Sequence, residues 1–365
     1  MNIAILSRSI VHHDAIGTDI RHMYRLFNRR HVCHVYAEYL MDDTLQPMDL
    51  EELHQLASDP DNLLIYHHSI AWPRMEPLLR QARAKVVIKY HNITPPHFFR
   101  AYDEHLTTQC RKGRRQTRQL ARRKHGFLWM GDSMFNLRDA GVAGRPGTAV
   151  VPPFNNTEHW RSVTPQPDLL RRLVEDPKVN LLFVGRLAPN KGLDFLLAIV
   201  ADFVQRYDRN IALHLVGKRD GTLAAFYDLL DGMVHIHELD DVVHWHGEVD
   251  DASLLAYYLG SDFYMNCSQH EGFCVPIVEA QSLHLPILAR CSGVSSETLK
   301  DDQLILGEDV SEYSAAIHLL SRPEQAPSRD FLRAAGLVSY EQRFRNTVIE
   351  KLFRETLQEW TGVEI

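Results

Sequence analysis

Residues 268–286 read SQHEGFCVPIVEAQSLHLP, and the rest of the chain is organised around this stretch. A glycine loop lies between two glutamates, Glu271 and Glu279. Pro276, followed by Ile277, Val278 and Ala280, predicts the buried start of a helix, because proline is pre-set for a first helical turn. The backbone N–H groups of Gly272, Phe273, Cys274 and Val275 then point out of that helix end, where an anion or a hydroxylated ligand can sit. Glu279 falls in the first turn, where a carboxylate interacts well with the helix dipole whether or not it binds anything. Glu271 precedes the loop and has no comparable structural reason to be there. Such a device needs a facing wall and a phosphate partner.

Outward from this stretch the chain alternates. Apolar runs fit for strands fall at 2–7, 31–37, 63–66, 85–90, 127–130 and 148–151, with helical patterns between most of them. After a proline-rich linker at 152–167 the rhythm restarts, with strand-like runs at 180–184, 212–216, 242–246, 263–266 and 287–289. Helices are expected at 193–207, 253–259 and 278–284, and residues 330–360 read as nearly all helical. Alternation of this kind implies βαβ units on parallel sheets. The expected fold is α/β, with two Rossmann-like domains facing a central cleft. Ligands in such sheets bind at the carboxyl ends of the strands.

The totals agree. A chain of 365 residues suits two domains, and 45% hydrophobic with 24% charged residues is ordinary for a globular protein. A net charge of −7 argues against nucleic acid as a partner. Five cysteines without CxxC spacing suggest free thiols in a reducing compartment. The start, MNIAILSRSI, runs straight into a strand-like segment, and no window approaches a membrane span, so a cytoplasmic place is expected.

The phosphate partner is sought in GRLAPNKG, residues 185–192, which follows a strand and opens a helix. A guanidinium at Arg186 and an ammonium at Lys191 suit a diphosphate, one bidentate and the other a point charge. The plainer reading is a solvated turn with two surface cations.

GRLAPNKG, HGEVDDASLLAYYLGSDFYMNCS and HEGFCVPIVEAQSLHLPILA together resemble the carboxyl-terminal domain of the retaining glycosyltransferases of family 4, which have the GT-B fold and an E-x7-E motif. KYHNITPPHFF, residues 89–99, resembles the amino-domain segment of bacterial polysaccharide and lipopolysaccharide members. The resemblance is strongest over 178–289. It implies an acceptor-side domain at 1–160, a nucleotide-sugar domain at 161–345, and a long C-terminal helix whose end, 346–365, returns to the first domain. It further implies that Arg186 and Lys191 hold the donor diphosphate, that Glu271 lies near the hydroxyls of the transferred sugar, and that Glu279 binds the ribose. Gly185 and the backbone of Gly272, Phe273 and Cys274 would line the donor pocket, and Val249 would offer backbone contacts to the base. His91 matches a histidine near the sugar, and Gly17 matches a loop glycine that approaches the diphosphate. Two departures stand out: Ile16 where the family commonly has a second glycine, and His284 where it has a glycine before the proline.

The resemblance thus implies a retaining hexosyltransferase moving a sugar, with mannose favoured, from a GDP- or UDP-sugar to a glycan or lipid-linked oligosaccharide acceptor. No cofactor and no metal are expected, because the cations replace magnesium. Two other classes stay open: a nucleotide-sugar 2-epimerase of the same architecture, and a polyanion-binding module. Arg111, Arg115, Arg118 and Arg122 form one stripe if helical, a face for an anionic membrane or simply a solvated surface. His235, His237, His244 and His246 tempt a metal reading, but the pairs fall in different elements and sheet-surface histidines are the expected case. His67 and His68 are expected to open from a strand end toward the cleft.

Overall fold

The computed structural model describes residues 1–11, 14–123, 126–299, 303–362 and 364. The chain divides into two compact units: Met1–His97, His105–Asn155 and Asn346–Ile365 form one, Phe98–Glu104 and Asn156–Arg345 the other.

The first unit is built on β1 (Asn2–Ser7), β2 (Val32–Tyr36), β3 (Leu63–His68), β4 (Lys85–Tyr90), β5 (Phe127–Gly131) and β6 (Thr148–Val150). They form one parallel sheet in the order β2-β1-β3-β4-β5-β6. All six residues of β3 are buried, as a central strand covered on both faces requires. One face packs on the helix α1 (Ala15–Phe27) through Ile20, Met23 and Phe27. The helix α2 (Glu104–Ala121) turns Leu120 and Ala121 to the other face.

The second unit repeats the plan with β7 (Val179–Val184), β8 (Ile211–Val216), β9 (Val243–Gly247), β10 (Phe263–Asn266), β11 (Ile287–Arg290) and β12 (Leu304–Leu306). Their order, β9-β8-β7-β10-β11-β12, places the reversal of strand order between β7 and β10. Loops leaving these two strands therefore meet at the point where open α/β sheets bind ligands. The GT-B expectation of two parallel-sheet, Rossmann-like halves holds. The strand β12 is not among the sequence expectations; it is a half-buried edge strand of three residues, too short to show a pattern.

The terminal helix is a correction. Residues 330–360 do not form one rod: α5 (Ala326–Arg343) ends, and α6 (Asn346–Thr361) begins three residues later. Phe344 leaves the helix to pack edge-on to Phe273, with ring centroids 5.4 Å apart. Asn346 then exchanges amide bonds with the backbone of Asn155, at 2.9 and 3.1 Å. Beyond the break, α6 presents Ile349, Phe353 and Leu357, spaced by four, to the core of the first unit.

Candidate active site

In the second unit two loops lock together at the reversal point. The loop after β7 carries Gly185, Arg186, Asn190, Lys191 and Gly192; the loop after β10 carries Ser268 and Glu271. Asn190 is buried and clamps them: its side-chain amide donates to the His270 carbonyl at 2.9 Å, and its own carbonyl accepts from the Gln269 N–H at 2.9 Å. Gly192 lets the backbones close. Its φ is +65°, and a Cβ there would lie 2.2 Å from the Cys267 carbonyl oxygen, so no other residue fits without movement. Gly217 does the same beneath the first loop, where a Cβ would meet the Gly185 oxygen at 1.9 Å.

The result is a direct contact. Lys191 Nζ lies 2.5 Å from Glu271 Oε1, which also accepts from Ser268 Oγ at 2.7 Å. The carboxylate is nearly buried, with 9% of its side chain exposed, so the pair is only weakly screened. Arg186, in contrast, is exposed and makes no hydrogen bond or ion pair with the described residues. A paired ammonium and a free guanidinium on one loop suit an anion arriving from solvent.

Glu279 differs from the sequence expectation. It is the fifth residue of the helix α4 (Val275–Ser282), beyond the first turn, so the helix dipole does not explain it. Burial, opposed by a 2.8 Å hydrogen bond from Tyr258 Oη, pushes its carboxyl up to about 7. Cys274 caps α4 with φ +71°, a left-handed conformation that is costly for a residue with a Cβ. The side chains of Phe273 and Cys274 are both buried, which leaves only their backbone to face a ligand. Val249 is partly buried against the core that holds Tyr258. His284 has φ +60°, so the position where the resembled family has glycine is one that glycine suits.

Two expectations in the first unit are corrected. Gly17 is not in a loop: it is buried within α1, and a Cβ there would lie 2.3 Å from the Val11 carbonyl oxygen. His67 and His68 are both buried rather than open. His68 is satisfied by Thr117 Oγ1 at 2.8 Å and Tyr66 Oη at 3.1 Å. His67 belongs to a network that includes His91. His91 Nε2 shares a 2.8 Å hydrogen bond with His67 Nδ1, and His91 Nδ1 lies 2.8 Å from Asp132 Oδ2. Lys89, also buried, sits 2.7 Å from Asp132 Oδ1. The nearby ammonium and imidazole overcome the burial cost and hold Asp132 below the usual carboxylate range. Asp19 lies within 4 Å of both rings; there burial dominates and pushes the carboxyl up to about 6. Both ring nitrogens of His91 thus have protein partners. Asp19 was missed, although a carboxylate between Ile16 and Ile20 on the apolar face of a helix is a readable signal.

The second histidine group is structural. His214, His244 and His246 stack on neighbouring strands, and His214 is tied to His246 at 3.0 Å and to Asn180 at 2.9 Å. Tyr257 Oη closes the chain on His246 at 2.9 Å. His235 and His237 belong to another element, at the end of the helix α3 (Ala224–Ile236) and on its cap. The four arginines Arg111, Arg115, Arg118 and Arg122 are all exposed along or just beyond α2. No helix among the described residues is long and apolar enough to cross a membrane.

Residues 170–334, which lie in the second unit, match the family described as Glycosyl transferases group 1. The chain is 28% identical over 202 residues to a D-inositol 3-phosphate glycosyltransferase of Geodermatophilus obscurus, covering 53% of this chain and 45% of that protein. It is 29% identical over 187 residues to an uncharacterized 41.2 kDa protein in the cps region of Klebsiella pneumoniae, covering 47% and 48%. It therefore spans about half the length of these relatives. Among solved structures, Anabaena HepE in complex with UDP superposes with a TM-score of 0.73 at 17% identity, covering 98% of this chain and all of that one. That likeness shows the fold.

Proposed function

We propose that the protein is a retaining glycosyltransferase that moves a hexose from a nucleotide-sugar to a glycan or lipid-linked acceptor in surface polysaccharide synthesis. The observation that carries the reading is the buried Lys191–Glu271 pair beside the free Arg186, at the reversal point of a sheet whose residues match a glycosyltransferase family. Arg186 and Lys191 receive the donor diphosphate and stabilise its charge as the sugar departs, a contribution often worth several kcal/mol. Glu271 accepts hydrogen bonds from the sugar hydroxyls and keeps the ammonium in place. Glu279 takes the ribose, Val249 and Gly185 flank the base and diphosphate, and the backbone of 272–274 lines the sugar pocket. The acceptor attacks the same face from which the diphosphate leaves, and the leaving phosphate takes its proton. This chemistry needs no metal at the donor, since two cations already meet the diphosphate.

UDP-sugars join GDP-mannose at the head of the donor screen, because HepE, whose fold this chain shares, is described with UDP and with UDP-glucose. The exposed arginines of α2 are proposed to rest on anionic lipid, where a lipid-linked acceptor resides.

Thermal-shift screening of UDP-, GDP- and dTDP-sugars identifies the donor, because a ligand bound to the folded state stabilises it by mass action. With that donor, Arg186→Ala and Glu271→Ala are each expected to lower kcat/KM by about 100-fold or more, at unchanged circular dichroism. NMR of the product should show the donor's anomeric configuration. Full activity in both variants refutes the site, and an inverted product refutes the mechanism.

A further inference from the structure

The network around His91 contains a geometry that hydrogen bonding alone does not use up. Asp19 Oδ2, His67 Nδ1 and His91 Nε2 come from three elements, α1, the end of β3 and the residue after β4, and converge at the reversal point of the first sheet. Their separations are 2.8, 3.9 and 4.0 Å. The point equidistant from three atoms so spaced lies about 2.1 Å from each, the length of a zinc–nitrogen or zinc–oxygen bond. A water oxygen at hydrogen-bonding distance does not fit that point in the plane.

The surrounding charges support a cation there. Lys89 is matched by Asp132, through Oδ1. Asp19 feels that ammonium only from farther away: its Oδ1 accepts from the Phe154 N–H at 2.9 Å, while its Oδ2 is fully buried without a hydrogen-bond partner among the described residues. An unpartnered buried carboxylate oxygen costs free energy, which a cation offsets. His91 is oriented as metal-binding imidazoles are, with Nδ1 against the Asp132 carboxylate and Nε2 directed inward.

We propose that Asp19, His67 and His91 bind one divalent transition-metal ion of the zinc class, with Asp132 as the outer carboxylate that fixes His91. The ion replaces the proton that the two imidazoles otherwise share. Two imidazoles and a carboxylate are a three-ligand set with a fourth position left for solvent, on the side where His91 reaches the surface. The ion pins α1 to β3 and the end of β4. It takes no part in stabilising a leaving diphosphate, and the inference does not depend on the proposed transfer reaction.

The test uses the full chain, stripped with a chelator and dialysed against zinc. Mass spectrometry of the metal should find one equivalent in the wild type and in His246→Gln, which alters the other histidine group. Asp19→Asn, of the same shape, should bind zinc about 100-fold or more weakly, as loss of a ligand requires more than loss of an outer partner. Cobalt(II) added to the stripped wild type should develop intense visible bands of four-coordinate geometry, a readout that needs no variant to fold. Zinc well below one equivalent, undiminished binding by Asp19→Asn, or a cobalt spectrum like that of the aqueous ion overturns the proposal.

Discussion

Burial sets the charge of Glu279. A carboxyl pushed from 4.5 to about 7 favours the protonated form in the folded chain. The stability this gives is fully present below the unfolded value of 4.5 and is lost as pH rises through about 7. Above pH 7 the fold holds an ionised carboxylate that the unfolded chain would hydrate better. Glu279→Gln keeps an acceptor for Tyr258 and removes that charge. Urea unfolding should find the variant more stable than wild type by roughly 1–3 kcal/mol at pH 8 and nearly equal at pH 4.5. A variant less stable at pH 8 would show that the carboxylate is compensated by a group other than Tyr258. His284 makes the same kind of trade in the backbone: its left-handed φ closes the end of α4, with Leu285 N–H reaching Ala280 O at 2.9 Å, at a cost of about 1 kcal/mol that glycine would avoid.

At the scale of elements, the decisive feature is how closely two loops approach. Gly192→Ala places a methyl against the Cys267 carbonyl in a backbone region that disfavours side chains. It should cost about 2 kcal/mol or more in stability. Because the shift separates Lys191 from Glu271, kcat/KM should fall on the order of 100-fold even where the protein remains folded. Equal loss of activity at unchanged thermal midpoint would mean that the glycine serves the ligand and not the loop closure. The helix α2 makes a different prediction, since its buried side is Thr107, Gly113, Gln116, Thr117 and Leu120, while Arg115, Arg118 and, just beyond its end, Arg122 are exposed. Vesicle co-sedimentation should rise with anionic lipid, fall with salt, and drop in the variant with Arg115, Arg118 and Arg122 changed to Ser. Binding indifferent to anionic lipid refutes it. GRLAPNKG and the glutamate stretch could be read from sequence because glycine, proline and charge cluster there. What joins them could not: Asn190 reaching the His270 carbonyl is a tertiary contact between residues eighty apart. The charge state of Glu279 was equally hidden, since it depends on Tyr258 and on the surrounding core.

For the molecule as a whole, the strands were legible because their central members are covered on both faces, so each is mainly apolar, broken only by buried polar residues such as His67, His68, Asn180 and His214. The break between α5 and α6 was not, because helical periodicity continues across it and only Phe344 and Asn346 find their partners elsewhere. The break matters to stability. The first unit is assembled from three segments, and the last brings Ile349, Phe353 and Leu357, all with no exposed surface, against Phe27 and Phe154. Removing large buried side chains costs about 2–5 kcal/mol each, so losing three approaches the whole stability of a typical domain. A chain ending at Arg345 should therefore lose hydrogen-exchange protection in β1, β3 and β4 while β7, β8 and β10 stay protected, because α6 packs into the first unit's core and, among the described residues, the second unit's core clusters are built from its own residues. Phe353→Ala should stand between, with the first unit weakened by about 3–5 kcal/mol and still folded. Retained protection of β3 in the shortened chain would mean that α1 and the sheet suffice without α6, and that the C-terminal helix covers a core already stable.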